Sequence, residues 1–223
     1  MVKPQQIKRS NRKTIAIKIE DNGDLIVRAP FYVSEEELNN IILSKEKWIR
    51  SKQYEALKRN AQIQPKQYID GEKFLYLGEV YPLEIVPTQR SLLVFDGNRF
   101  TLRQSAVARG RETFIRWYRT QTRLIISGRV ASITKKMHLK HSVIRITGAK
   151  TRWGSCGPKG SLNFSWRIIM APIDVVDYVV VHEVAHLKIR GHSPDFWKIV
   201  QRYYPDYRKR KSWLREFGHR LTI

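Results

Sequence analysis

The chain has 223 residues, 42% of them hydrophobic and 11% aromatic, and a formal net charge of +22. This length buries a real core in one large domain or two small ones, and the composition excludes a disordered chain. No apolar run approaches the roughly 18 residues of a membrane span, and the single cysteine, Cys156, excludes an internal disulfide and a four-cysteine zinc site.

The basic stretch "MVKPQQIKRSNRKT" is followed by no apolar segment of signal-peptide type, so a cytoplasmic location without membrane association is expected. The charge is uneven. Between Arg109 and Arg167 fourteen Lys and Arg stand against one acid, Glu112. Such an excess draws polyanions, which makes nucleic acid a candidate partner of the basic surface.

In chain order, "KTIAIKIEDNGDLIVRAP" alternates apolar and polar residues around "DNGD" and predicts a β-hairpin ended by Pro30. "SEEELNNIILSKEKWIRSKQYEALKR" predicts one helix, with Ser34 as N-cap and acids in the first turn. "EKFLYLGEVYPLEIVP" and "SLLVFDGNRFTLR" predict short strands bounded by Gly and Pro. From Arg109 the pattern turns helical, with Phe114, Trp117, Tyr118, Gln121, Leu124 and Ile125 on one side and Arg116, Arg119 and Arg123 on another. "SVIRITGAKTRWGSC" and "GSLNFSWRIIMAP" flank "GPKG" as a second hairpin. "DVVDYVVVHEVAHLKIR" predicts a helix started by Asp174 and stopped by Gly191, and Ser193-Pro194-Asp195 starts another. The fold class is therefore α+β: a β-rich N-terminal domain with one helix over 1–108, then a second domain over 109–223.

Within "VVVHEVAHLKIRGH", His182 and His186 lie four residues apart, about 400° of helical rotation, so both emerge on one side and can reach one metal. Glu183, about 100° around from His182, is poorly placed as a third ligand and well placed to hold a metal-bound water. Gly191 lets the chain turn so that His192 becomes the third ligand. Three protein ligands leave one position open, which marks a catalytic rather than a structural zinc, with Glu183 taking the proton from the water. A lone H-E-x-x-H recurs by chance, but two imidazoles and a carboxylate on a helix begun by "YVVV" would be costly unless paired or metal-bound. Zinc suits imidazole ligands; nickel, cobalt or iron would bind similarly.

"RWGSC", "SLNFSWRIIMAP", "DYVVVHEVAHL" and "GHSPDFW", in that order, resemble the YgjP-like metallopeptidase family, related to SprT-like and WLM peptidases among the zincins. "KTIAIKIEDNGDLIVRAP", "KEKWI" and "YLGEVYPLEI" extend the resemblance over most of the chain. It implies a zincin-like domain over 109–223, His182, His186 and His192 as zinc ligands, and Glu183 as general base acting on a peptide or protein substrate. The metzincin pattern HExxHxxGxxH fits less well, because Ile189 replaces its Gly and every methionine (Met1, Met137, Met170) lies upstream of the site. By analogy with related zincins, an edge strand beside the cleft would come from Trp153 to Cys156 or from Leu162 to Trp166.

Two other functions compete with the peptidase. Hydrolysis of nucleoside triphosphates, of UTP type, is also attributed to a member of the family, and the same site could attack phosphorus while basic residues hold a polyphosphate. A basic nucleic-acid-binding protein with a non-catalytic metal is the other. Cys156 reads as a buried small hydrophobe, and His138 and His141 as loop residues among lysines. Trp153 and Trp166 read as packing residues. Arg152 and Arg167 are candidates for anionic contacts, as is "YRKRKSW". Oligomeric state is not legible.

Overall fold

A computed structural model describes residues 2–20, 22–61 and 64–223. Packing divides the chain into two compact units, Met1–Gln64 and Pro65–Ile223.

In the first unit the strands β1 (Gln6–Ser10), β2 (Ala16–Ile19) and β3 (Leu25–Pro30) form a sheet in the order β1-β3-β2. The predicted hairpin is β2–β3, antiparallel with Ile19 opposite Leu25. β3 is central, and its alternate residues Leu25, Val27 and Ala29 are fully buried. β1 pairs parallel to β3 and was not signalled by the sequence. An edge strand such as "QIKRS" is held by backbone hydrogen bonds and needs little apolar patterning. The expected single helix is two, α1 (Glu35–Ser44) and α2 (Glu46–Ala61), separated by Lys45 at φ −106°. Ser34 caps α1 as predicted, its Oγ accepting from the Glu37 N–H at 3.1 Å. Leu38, Ile42 and Ile49 pack with the β3 residues, so the break lets both helices serve one core.

The second unit starts with a four-stranded sheet, order β4-β5-β7-β6, made of β4 (Lys73–Tyr76), β5 (Glu79–Val86), β6 (Leu93–Phe95) and β7 (Phe100–Arg103). The long helix α3 (Gly110–Met137) packs on it. Its buried stripe is Phe114, Tyr118, Thr122, Ile126, Val130 and Thr134, every fourth residue. Leu124, expected on the inner side, is 69% exposed. Apolar character alone misplaced the stripe. Thr122 and Thr134 are acceptable inside because their hydroxyls donate to the carbonyls of Tyr118 and Val130, at 2.6 and 2.8 Å.

Phe114 stacks on Phe74 at 4.0 Å and lies 5.3 Å from Phe100, and the Tyr118 hydroxyl donates to the Leu75 carbonyl at 2.7 Å. The sheet and α3 therefore share one aromatic core. A division at 108/109 would cut through it, and the compact units instead separate at 64/65.

A second small sheet follows, with the order β8-β10-β9: β8 (Val143–Thr147), β9 (Gly154–Cys156) and β10 (Ser161–Ser165). β9 and β10 are the hairpin expected around "GPKG". β9 is an edge strand, whereas β10 is central, paired with both neighbours. Of the two segments considered for the edge, only the first therefore supplies one. Arg119 and Arg123 donate to the carbonyls of Ile146 and Ile144 on β8, at 3.2 and 3.4 Å.

Three helices complete the unit: α4 (Ile173–Ala185), α5 (Pro194–Tyr203) and α6 (Tyr207–Phe217). Pro172, not Asp174, occupies the N-cap position of α4, and the helix ends at Ala185 rather than running to Gly191. Asp174 instead pairs with Arg210 of α6 at 2.8 Å, and Asp177 pairs with Arg129 of α3. No helix among the described residues is long and apolar enough to cross a membrane.

The aromatic core of the second unit supports a direct test. Phe114→Ala is expected to lower stability by about 3–5 kcal/mol, read as a drop in the urea midpoint for that unit's unfolding.

Candidate metal centre

α4 carries a run of β-branched valines that would suit a strand on propensity alone. It is helical because it is buried almost all round: Val175, Val176, Val179, Val180, Val181, Val184 and Ala185 are each 4% exposed or less. His182, Glu183 and His186 come from the last turn of this helix and its end.

The ligand atoms of His182, His186 and His192 all lie within 4.8 Å of one another. His182 Nε2 and His192 Nε2 are 3.1 Å apart. Two nitrogens held about 2.0–2.1 Å from one tetrahedral ion would stand about 3.3–3.4 Å apart, so this hydrogen-bonded pair needs to open by only a few tenths of an ångström to share a cation. His186 Nδ1 lies 3.1 Å from the Ile189 carbonyl. Donation along that contact fixes the tautomer and leaves Nε2 as the free donor, a common means of orienting a ligating imidazole.

The chain reverses between the second and third histidines. Gly191 has φ +78° with open space around it, so its backbone conformation, not crowding, calls for glycine. Ser193 then caps α5, its Oγ accepting from the Phe196 N–H at 3.3 Å. This first turn of α5 also seats the imidazoles. The Phe196 ring, fully buried, stacks on His186 at 4.3 Å and meets His182 and His192 edge-on at 5.0 Å each. Trp197 stacks on His192 at 5.6 Å.

Glu183 is 5% exposed, and its Oε2 has no hydrogen-bond partner among the described residues; the same holds for His182 Nδ1. Burial pushes the Glu183 carboxyl up to about 8. Burial, then the neighbouring His186 and His192, pushes His182 down to about 3, which keeps it in the neutral form that a metal requires. Three converging nitrogens fit a cation, and the unpartnered Glu183 oxygen fits a carboxyl that holds a further group such as water; His182 Nδ1 is not the converging atom, which is Nε2. The edge strand β9 closes over the carboxyl: a Cβ at Gly154 would lie 2.5 Å from both Cγ and Oε1 of Glu183.

The structure brings the three histidines singled out from the sequence together, and Glu183 follows His182 on α4 with its carboxyl under Gly154. Phe196, Trp197, Gly154 and the Ile189 carbonyl were missed. The one available signal was an aromatic pair placed directly after the capped "HSPD" start. The remaining candidates lie elsewhere. His138 caps α3 at φ 54° and, like His141, is outside the histidine cluster. Arg190 donates to the carbonyls of Cys156, Gly157 and Pro158 at 3.0–3.1 Å, and burial pushes the Cys156 thiol up. Trp166 is core, stacked on Tyr118 at 5.9 Å, and Trp153 packs against Gly218. Arg167 is buried, donates to the Gly148 carbonyl at 3.0 Å and covers Trp166 at 4.3 Å, so it is not free for an anion. Arg152 is exposed.

A family model described as "YgjP-like, metallopeptidase domain" matches residues 13–217. No curated protein matches the chain. Among solved structures, the crystal structure of the metallopeptidase zymogen of Pyrococcus abyssi abylysin is similar at a TM-score of 0.38 and 19% identity. The match covers 42% of this chain and 92% of that one.

Two outcomes are expected of the site itself. His192→Ala weakens zinc binding in competition with a chromophoric chelator, whereas His138→Ala does not. In metal-free protein, burial raises the Glu183 carboxyl to about 8 in the folded state, against its ordinary 4.5 when unfolded. The folded state then holds the extra proton between these values, so this group's contribution to stability falls as pH rises from about 4.5 to about 8. Glu183→Gln removes that fall: its melting temperature relative to the parent increases with pH across this window in EDTA.

Proposed function

The chain belongs to the YgjP-like family of metallopeptidase domains, and from that premise we propose a zinc-dependent peptidase in which His182, His186 and His192 hold the metal and Glu183 is the general base. The observation that carries this reading is the convergence of three imidazoles, with a buried carboxyl next to the first of them on α4. A set of three neutral nitrogens adds no negative charge, so it leaves a bound ion strongly electrophilic. When bound, zinc supplies Lewis-acid polarisation of a carbonyl and acidifies water; other divalent transition metals fit the same donors.

The chain's own residues supply the rest. Glu183 accepts the proton at its carboxylate as water attacks the carbonyl carbon, then returns it to the departing amine. Burial makes this carboxylate a stronger base than one in water, and a cation beside it favours its ionised form. His182, held neutral by burial, orients and does not shuttle protons. Phe196 and Trp197 keep the imidazoles from turning away. β9 supports a substrate position, because the free edge of an end strand can pair with an extended peptide, and Gly154 brings that edge against Glu183.

The phosphohydrolase and the nucleic-acid binder are separated by direct assay. Zinc-loaded protein is incubated with casein and with nucleoside triphosphates including UTP. New peptides, with no chelator-sensitive phosphate or pyrophosphate release, are expected. Glu183→Gln is expected to keep stoichiometric zinc and to lower hydrolysis about 10²–10⁴-fold; full retained activity would remove Glu183 from its role. Gly154→Ala is expected to retain zinc as well and to lose turnover, since its methyl displaces the carboxyl. A chain whose only zinc-independent property is salt-sensitive binding of DNA or RNA would be a binder instead.

A further inference from the structure

A groove of about 600 Å³ opens beside the histidines, lined by Trp197, Tyr207, Arg208, Lys211, Ser212 and Arg215. Trp197 joins it to the metal centre, stacking on His192 at 5.6 Å and on Tyr207 at 5.1 Å. The Lys211 ammonium sits 4.4 Å above the Trp197 ring, and the Arg208 guanidinium 5.8 Å from the Tyr207 ring.

The charge on α6 is divided between its faces. Arg208, Lys211 and Arg215 fall three and four residues apart, so they share one side, the side of the groove. None of the three has a carboxylate partner among the described residues. Three neighbouring acids serve other cations: Asp206 faces Lys209 at 3.7 Å, Asp174 faces Arg210 at 2.8 Å, and Asp195 faces Lys198 at 2.8 Å; Glu216, also on α6, forms no ion pair with the three among the described residues. An unneutralised row of cations over an aromatic floor is suited to a ligand that brings both carbon surface and negative charge.

We infer that this groove is a specificity subsite that takes a peptide carboxylate two or three residues from the bond that is cut, so that the enzyme prefers acidic peptide substrates. The two legs through Trp197 place the Lys211 ammonium within the reach of two or three residues of extended chain, at about 3.3 Å each. The three cations spread about 10 Å along α6. That spacing serves carboxylates displayed along a strand better than it serves one compact triphosphate. The carboxylate can come from an Asp or Glu side chain or from the C-terminus of the substrate.

The inference rests on the peptidase reading, and its test separates the two. Zinc-loaded full chain is given peptide libraries that differ only in Asp/Glu against Asn/Gln around the scissile bond, each with a free and with an amidated C-terminus. Acidic members are expected to be cut with about tenfold higher kcat/KM, mainly through KM, as three partly exposed charge contacts would give. A preference that survives amidation assigns the carboxylate to a side chain, and one that amidation abolishes assigns it to the terminus. The exposed triple variant R208Q/K211Q/R215Q should keep its zinc and bring the ratio near one, while K209Q on another face leaves the ratio in place. Charge reversal, R208E/K211E, should turn the preference towards Lys and Arg. Equal cutting of acidic and amide peptides, or a preference that survives the triple variant, overturns the subsite but leaves the peptidase. Should no peptide be cut, the peptidase reading fails, and zinc-loaded Glu183→Gln is titrated with the same peptides by tryptophan fluorescence. Tighter, salt-sensitive binding of the acidic members upholds the groove. Equal affinities, or tighter binding of UTP or a single-stranded oligonucleotide, overturn it.

Discussion

The structure of the second unit turns on the placement of ionisable groups inside an apolar helix. α4 carries its own buried valines on nearly every side, yet its final turn carries His182 and Glu183, with His186 directly after it. Polar groups buried without partners cost free energy that a domain of this size can ill spare. Two of these atoms, Glu183 Oε2 and His182 Nδ1, have no hydrogen-bond partner among the described residues. The burial that makes the site costly also makes it chemically useful, because it keeps His182 neutral and makes the Glu183 carboxylate basic.

The surrounding elements follow from that constraint. α4 stops at Ala185, and the turn beyond it aims the Ile189 carbonyl back at His186. Gly191 reverses the chain, and the capped start of α5 delivers Phe196 and Trp197 against the rings. β9 approaches from another side, where the absence of a side chain at Gly154 leaves room for the Glu183 carboxyl. Asp174 and Asp177 anchor α4 to α6 and α3 through arginines. The helix is thus held at both ends of its length, which is what a site needs if its groups are to stay within a few tenths of an ångström of a working arrangement.

Much of this was legible in advance, unevenly. The β2–β3 and β9–β10 hairpins, the Ser34 and Ser193 caps and the core strands of the larger sheet came from local chemistry: alternation, turn glycines and side chains that bond their own backbone. β1 escaped because a polar edge strand pairs through its backbone, to a partner some twenty residues away. The stripe of α3 was misread because apolarity pointed to Leu124, whereas buried threonines with satisfied hydroxyls line the inner side. The division near residue 108 followed a change in secondary structure; the rings of Phe74, Phe100 and Phe114 ignore that change and pack as one core.

What the sequence determined by itself was the set of groups that could share one ion, because a four-residue interval on a helix and a glycine before the third histidine are local geometry. The relation of Gly154 to Glu183, of Phe196 to three imidazoles and of Trp197 to both His192 and the row of cations on α6 was decided only by the tertiary structure. Those contacts join segments that are distant in sequence or lie on different elements. They are set by the packing of whole helices and strands, which local periodicity does not encode.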